Sequence, residues 1–328
     1  MIKTGTGIGC MFYGIGNTGL PNPSAAFIEV HNDCSVILLT GCADIGQGST
    51  TILAQIVAET LGMNCEDVFV ISADTGVTPE AGATSASRQT YISGNACKRA
   101  AEMARETLVE IAADLLHEDK EKIFLKNKTA FVSNTDKSIS MAKLLEECNR
   151  RGILVIGSGS FNPKTTSLDA QTMAGIPYAT YAFATQIAEV EVNTETGEIK
   201  VKKIVAAHDV GRAVNPSLVE GQIEGGCLMG AGYALLEEVL LSNGKITNPN
   251  LSDYLIYTAK DIPEIYPIII EDKEETGPYG AKGVGEPSLI PTAPAILNAI
   301  YNATGERFTE IPVTQERFIE QTYYKSDR

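Results

Sequence analysis

The sequence is poor in the features that mark several protein classes. No stretch approaches the roughly 18 to 20 consecutive apolar residues that a membrane span needs, and Met1–Thr4 leads into a glycine-rich segment with no basic-then-apolar leader. A cytoplasmic protein with no membrane partner is therefore expected. The seven cysteines, Cys10, Cys34, Cys42, Cys65, Cys97, Cys148 and Cys227, are odd in number and include no C-x-x-C pair. That argues against a disulfide framework, and against an iron–sulfur cluster or structural zinc carried by this chain alone. His31, His117 and His208 form no H-x-x-x-H pair, so a zinc hydrolase site has no support. Positive charge is scarce: 26 Lys and Arg against 41 Asp and Glu leave a formal charge of −15, which repels a phosphate backbone and excludes nucleic acid as a partner. G-x-x-x-x-G-K-[ST] and G-x-S-x-G are both missing, as is any internal repeat of 20 to 50 residues.

What is present is a globular composition. The chain has 328 residues, 44% apolar and 20% charged, enough for one large core or two packed lobes. The first twenty residues are dense in glycine (Gly5, Gly7, Gly9, Gly14, Gly16, Gly19), so backbone must pass close to something there. Ala25–His31 and Ser35–Thr40 read as a hairpin around an Asn32-Asp33 turn. After the polar loop Gly41–Gly48, Ser49 is placed to cap a helix whose apolar face is Ile52, Leu53, Ile56, Val57 and Leu61, ending at Gly62. Val68–Ser72 is a strand, Asp74–Arg88 a long loop, and Thr90–His117 and Met141–Arg151 are helices flanking a short β segment. Gly157–Met173 reads as a polar loop, with a lobe boundary near residues 157–175. Ala182–Val192 and Ile199–Ala206 form a second hairpin, followed by a helix from Pro216 to about Leu240, a strand at Ile265–Ile270 and a helix at Pro287–Ala303. Interleaved strands, hairpins and helices make the class α+β, with two mixed α/β lobes.

Four segments could carry chemistry. Gly14-Ile15-Gly16-Asn17-Thr18-Gly19 matches G-x-G-x-x-G, but Leu20-Pro21-Asn22-Pro23 leaves no helix to receive a pyrophosphate, so it is not a dinucleotide site. Gly46-Gln47-Gly48-Ser49 places two glycines and a primary amide before a helix N-terminus, where unpaired N–H groups attract an anion and the amide can donate and accept at once. An ordinary capped turn has the same pattern. In Gly283-Val284-Gly285-Glu286-Pro287-Ser288, Pro287 fits the first helical position and puts Glu286 at the N-cap. The helix dipole there favours its ionised form and burial opposes it, a balance that suits a general base near neutral pH; a solvated capping glutamate is the alternative. Gly283 and Gly285 remove side chains that would hold a ligand away. His208-Asp209-Val210-Gly211-Arg212 reads as a turn with a structural histidine, and Asn215-Pro216 as a helix start.

Taken together, Gly41–Ser49 (GCADIGQGS), Thr84–Gln89, His208–Pro216 and Tyr279–Ser288 (YGAKGVGEPS) resemble, in order, the molybdenum-cofactor subunit of the molybdenum hydroxylase family of xanthine dehydrogenase and aldehyde oxidase. The resemblance covers nearly the whole chain but only the C-terminal half of the usual subunit. That division resembles the nicotinate-oxidising branch, in which the medium molybdopterin subunit is a separate chain. It implies a molybdenum-molybdopterin cytosine dinucleotide cofactor shared with a second, large molybdopterin subunit. It further implies selenium or sulfur as a metal ligand, and 2Fe-2S and FAD subunits that pass electrons to NADP.

The implied reaction is hydroxylation of nicotinate to 6-hydroxynicotinate, with water as the oxygen source. A purine or aldehyde substrate, or a non-catalytic scaffold of the same fold, is the alternative. Glu286 matches the family's glutamate that removes a proton from a molybdenum-bound hydroxyl, whose oxygen attacks a ring carbon next to nitrogen while hydride moves to the sulfido or selenido ligand. Ala86 matches the residue whose backbone N–H faces a molybdenum ligand. Ser87 and Gln89 match pterin contacts, and Gly46, Gln47, Gly48 and Ser49 match the second-lobe pterin loop. Tyr13 matches a segment lining the substrate pocket, where a phenol stacks on or hydrogen-bonds a pyridine ring. Met229 departs from the pattern, since many relatives have glutamine there.

Overall fold

The computed structural model describes Met1–Tyr323. In chain order it contains β1 (Ile2–Gly14), β2 (Ser24–Val30), β3 (Val36–Thr40), α1 (Ser49–Leu61), β4 (Val68–Ser72) and α2 (Gly94–Leu116). There follow β5 (Ile123–Lys126), β6 (Thr129–Val132), β7 (Ser138–Ser140), α3 (Met141–Arg150), β8 (Val155–Phe161), β9 (Tyr181–Asn193) and β10 (Ile199–Asp209). The chain continues through α4 (Pro216–Leu235), the two-residue β11 (Leu241–Ser242) and β12 (Lys245–Ile246), β13 (Glu264–Ile270), α5 (Thr292–Thr304) and α6 (Gln315–Tyr323). The architecture is α+β, as the sequence pattern implies. No helix among the described residues is long and apolar enough to cross a membrane.

The chain divides into two compact units. The first comprises Met1–Tyr13, Tyr181–Asp272 and the residues from Val284 onward; the second comprises Gly14–Thr180 and Lys273–Gly283. The chain thus leaves the second unit after Thr180, past the 157–175 stretch, and returns to it for eleven residues, a step no local pattern announces.

In the first unit the sheet order is β1-β9-β10-β13, with β9 and β10 antiparallel and β13 parallel to β10. Alternate residues of β9, Ala188, Val190 and Val192, face a core shared with α4 and α5 that includes Ile204, Ile223, Ile296 and Phe318. The glycine-dense start of the chain finds its explanation here. A Cβ on Gly7 would lie 2.1 Å from the Ala299 nitrogen, and one on Gly5 2.2 Å from the Ala299 oxygen. What β1 passes so closely is the backbone of α5.

In the second unit the order is β4-β3-β2-β8. The β2–β3 hairpin forms as expected, although its loop is longer than Asn32-Asp33: Cys34 adds a left-handed residue at φ 67, its N–H bonded to His31 O at 2.9 Å. Helix α1 ends at Gly62 in the left-handed conformation as expected, but its N-cap is Gly48 at φ 80 rather than Ser49. The helix expected from Thr90 opens instead with a π-helical turn over Gln89–Ser93. The 157–173 loop needs a larger correction, because β8 runs through Phe161 and pairs with β2. Its inward positions are Gly157 and Gly159, where a Cβ would lie 2.0 Å from Ala100 O and 2.3 Å from Ala96 O, so α2 packs on bare backbone. Glycine inside and serine outside leave no apolar alternation to read.

Candidate functional site

In the second unit the turn before α1 is closed on itself. The Asp44 carboxylate accepts from the N–H groups of Gly46 (2.9 Å), Gly48 (3.3 Å) and Thr50 (3.1 Å), and from Thr50 Oγ1 (3.1 Å). Partial burial alone would raise its pKa, but these hydrogen bonds outweigh that and hold it below the usual carboxylate range. The helix terminus that the sequence offers to an external anion therefore holds the chain's own. The Gln47 amide is engaged too: Oε1 accepts from Ile45 N at 2.7 Å, and Nε2 donates to Ala43 O at 3.1 Å and Ser49 Oγ at 2.9 Å. A side-chain contact from Gln47 to a ligand would have to exchange one of these bonds. Gly46, at φ 108, meets nothing within 4 Å of an added Cβ, so its backbone borders open space.

The loop leading to α2 packs beside this turn. Thr84 Oγ1 donates at 2.6 Å to the same Ala43 carbonyl that Gln47 uses. Gln89 is buried, its Nε2 donating to Ala83 O and Thr84 Oγ1 at 3.2 Å each and its Oε1 accepting from Ser93 Oγ. Between them Ala86 (φ 53) and Ser87 (φ 51) are consecutive non-glycine residues in the left-handed region, which costs about 1–2 kcal/mol per residue. Three contacts hold them there. Gly16 N–H donates to Ala86 O at 2.9 Å, and Arg88 N–H closes the turn onto Ser85 O at 3.2 Å. Gly283 lies flat against Ser87, where an added Cβ would be 1.9 Å from Ser87 O. That packing accounts for the glycine at 283. Ala86 N–H donates to no acceptor among the described residues. The Gly46–Ser49 turn, the Ala86–Gln89 loop and Gly283 are thus brought together in one unit.

Glu286, Gly285 and Tyr13 belong to the first unit. Tyr13 is half-buried near the end of β1. Glu286 does not cap a long helix. It opens a single 3₁₀ turn, Glu286–Ser288, capped by Gly285, and α5 begins only at Thr292. The cause is Pro291: a proline disfavours helical backbone at the residue before it, so the helix cannot run on from Pro287. The dipole acting on Glu286 is that of one turn.

Beneath this turn lies a buried polar cluster. Gln186 Nε2 donates to Ser288 O at 2.7 Å and pairs with His208 Nε2 at 3.0 Å, while Gln186 Oε1 accepts from Thr292 Oγ1 at 2.6 Å. Because the Gln186 amide is a donor on that side, His208 Nε2 accepts and its proton sits on Nδ1, which is buried without a partner. Burial holds the imidazole neutral, with its pKa down at about 4, and pushes the Cys227 thiol up to about 12. Helix α4 reaches the turn through Gly226, where a Cβ would be 1.9 Å from Ser288 Oγ, and Met229 on that helix is exposed. Asn215 starts α4 as expected, accepting from Leu218 N–H at 3.2 Å. Sequence reasoning missed Gln186; its signal is a lone polar residue at an inward position of an otherwise alternating strand.

No group of three or more His, Cys, Asp or Glu among the described residues could hold a metal ion. The braced left-handed pair with its unspent Ala86 N–H fits the binding of an organic cofactor that carries acceptor atoms.

The comparisons identify a cofactor-binding family. Residues 1–263 match the family model for a molybdopterin cofactor-binding domain. The chain is 32% identical to the xanthine dehydrogenase molybdenum-binding subunit of Escherichia coli O157:H7, over 98% of this chain and 42% of that one. It is 30% identical to the gamma subunit of the 6-hydroxypseudooxynicotine dehydrogenase complex of Paenarthrobacter nicotinovorans, over 96% and 39%. The fold is similar to quinoline 2-oxidoreductase from Pseudomonas putida 86, with a TM-score of 0.86 and 27% identity over 98% of this chain and 42% of that one. The chain spans about two fifths of the length of these relatives. It belongs to the family of molybdopterin cofactor-binding domains carried by the xanthine dehydrogenase and aldehyde oxidoreductase molybdenum-binding subunits.

Proposed function

We propose that this chain is the molybdopterin-binding part of a molybdenum hydroxylase that oxidises an aromatic N-heterocycle, converting nicotinate to 6-hydroxynicotinate with water as the oxygen source. The observation that carries the reading is the braced Ala86–Ser87 pair with its unspent N–H. When bound, the molybdenum-molybdopterin cytosine dinucleotide supplies a Lewis-acidic metal that accepts two electrons, with selenium or sulfur among its ligands. This chain's part is to hold and orient. Ala86 presents its backbone N–H, Ser87 contacts the pterin beside it, and the Gly46–Ser49 turn borders the ligand at Gly46, whose Cα faces open space. With the Gln47 and Gln89 amides engaged inside their loops, main chain carries most of the recognition. Glu286 acts as the base that takes the proton of the attacking, water-derived oxygen, and Tyr13 contacts the ring.

Electrons leave through 2Fe-2S and FAD subunits to NADP, in keeping with cysteines that lack cluster spacing. A large molybdopterin subunit completes the site. Support for it comes from exposed Phe27, Phe69 and Ile156 on one sheet, with Phe183, Tyr266 and Ile268 on the other; an open sheet face is ordinarily polar. The heterocycle is favoured by the similarity to a quinoline oxidoreductase, quinoline being an aromatic ring with nitrogen. A purine is the second reading, favoured by the xanthine dehydrogenase relative.

Steady-state turnover of the assembled complex on nicotinate against xanthine decides between them; activity on xanthine alone replaces the substrate. Glu286→Gln keeps the shape and removes the basicity. Turnover is expected to fall about 100- to 10,000-fold with molybdenum content unchanged, and wild-type turnover would remove Glu286 from the mechanism.

A further inference from the structure

Arg88 is the bulkiest fully buried side chain among the described residues, 1% exposed. A guanidinium has five N–H donors, and all are used: Nε on Asn22 Oδ1, Nη1 on Ala81 O and on Ala83 O (3.1 Å), Nη2 on Asn22 O (3.4 Å) and on Pro23 O (2.9 Å). Every acceptor is neutral. Burial lowers its pKa, yet an arginine keeps its proton in proteins, so a full positive charge stays inside the second unit. Buried charges are ordinarily paired with an opposite one, and Arg88 makes no ion pair among the described residues. Glu80, whose charge works to raise that pKa, is exposed and turns its Oε1 to Gly82 N–H at 2.5 Å. The unpaired charge adjoins Ser87 in the chain, within the loop that holds the open Ala86 N–H.

We propose that Arg88 is a fixed counter-charge for an anionic group of the cofactor bound at the Ala86–Ser87 loop, acting through its field and not by contact, since no donor remains to touch a ligand. The inference rests on the cofactor-binding reading above. The anion is either the phosphate of the cofactor or its thiolate-ligated metal.

Asn22→Asp tests the charge with little change of shape, because it puts a carboxylate on the guanidinium Nε and cancels the charge where it stands. At an effective dielectric of about 20, a unit charge roughly 12 Å away changes a binding constant about tenfold. The assembled complex carrying Asn22→Asp is therefore expected to hold its molybdenum and organic phosphate about tenfold more weakly on dialysis, while the denaturation midpoint of the cofactor-free protein stays level or rises. Arg88→Lys, which keeps charge and loses the fork, is expected to retain cofactor within about twofold; Arg88→Gln, which keeps donors and loses charge, to lose it about tenfold. If the metal is the partner, the reduction potential in Asn22→Asp falls as well, by about 59 mV for a tenfold change in a one-electron couple. An unchanged potential with weaker retention assigns the phosphate.

Wild-type retention in Asn22→Asp, or equal loss in the Lys and Gln variants, overturns the inference, because Arg88 would then be a staple acting by shape alone. Should Asn22→Asp fail to fold, the Lys and Gln pair decides. A wild-type complex holding neither molybdenum nor pterin removes the cofactor reading itself and is told apart by that measurement alone.

Discussion

Gly283→Ala strikes the loop where stability and cofactor binding meet. The added Cβ would stand 1.9 Å from Ser87 O, 2.8 Å from Ser87 C and 2.9 Å from Ser87 Cβ, where real contacts do not fall below 3.0 Å. Strand-like or helical rotation of a side chain offers no relief, because the nearest atom is backbone. Gly283 or Ser87 has to move by about 1.1 Å. Overpacking of this size costs about 1–3 kcal/mol, and the alanine regains at most about 0.4–1 kcal/mol by restricting the unfolded chain. The expected net loss is about 1–2 kcal/mol, together with weaker cofactor retention, because the contact that moves is one of three holding Ala86 and Ser87 left-handed. The chain has no tryptophan, so urea unfolding is followed by far-ultraviolet circular dichroism, with molybdenum per complex measured in parallel. Gly152→Ala is the control: its φ is 70 and an added Cβ meets nothing within 4 Å, so only the left-handed penalty of about 1–2 kcal/mol remains and retention stays normal. A Gly283→Ala protein as stable as wild type with full cofactor would refute the bracing argument.

The remaining predictions concern pH and the α1 terminus. His208, buried with its pKa near 4 against an ordinary 6.5, leaves the unfolded chain binding the extra proton between those values. Stability is whole above pH 6.5 and declines as pH falls toward 4, by up to about 3 kcal/mol; His208→Gln should flatten that part of the curve in urea titrations at successive pH, and an unaltered slope would show the histidine to be solvated. Asp44→Ala frees the N–H groups of Gly46, Gly48 and Thr50 and should cost about 0.5–2 kcal/mol by thermal unfolding; a change below that range would mean that water serves this terminus equally well.

Much of the frame was legible because it is local. The β2–β3 and β9–β10 hairpins follow from alternation around polar turns, and the end of α1 from a glycine that alone adopts φ 65 without strain. Strand β8 was hidden because glycine and serine alternate without a hydrophobic signal. The placement of Glu286 failed on a second proline, Pro291, five residues on, whose effect reaches back to the residue before it. The engagement of Gln47 and Gln89 was out of reach for a different reason: an amide that can serve a ligand can equally serve a carbonyl, and only coordinates say which carbonyl is near.

The order of residues alone determined the class, the family and the places where the main chain must bend or come close, since these depend on residue type within a few positions. Tertiary structure decided what those places are for. Glycines at 5 and 7 serve helix α5, the glycine at 283 serves Ser87, and Asp44 fills the terminus that looked open. Arg88 carries a charge that no neighbour in sequence marks as unpaired. Apart from the Asp44 turn, which closes within six residues, these are contacts between segments distant along the chain, and pairing at such range is set by the folded shape and not by spacing.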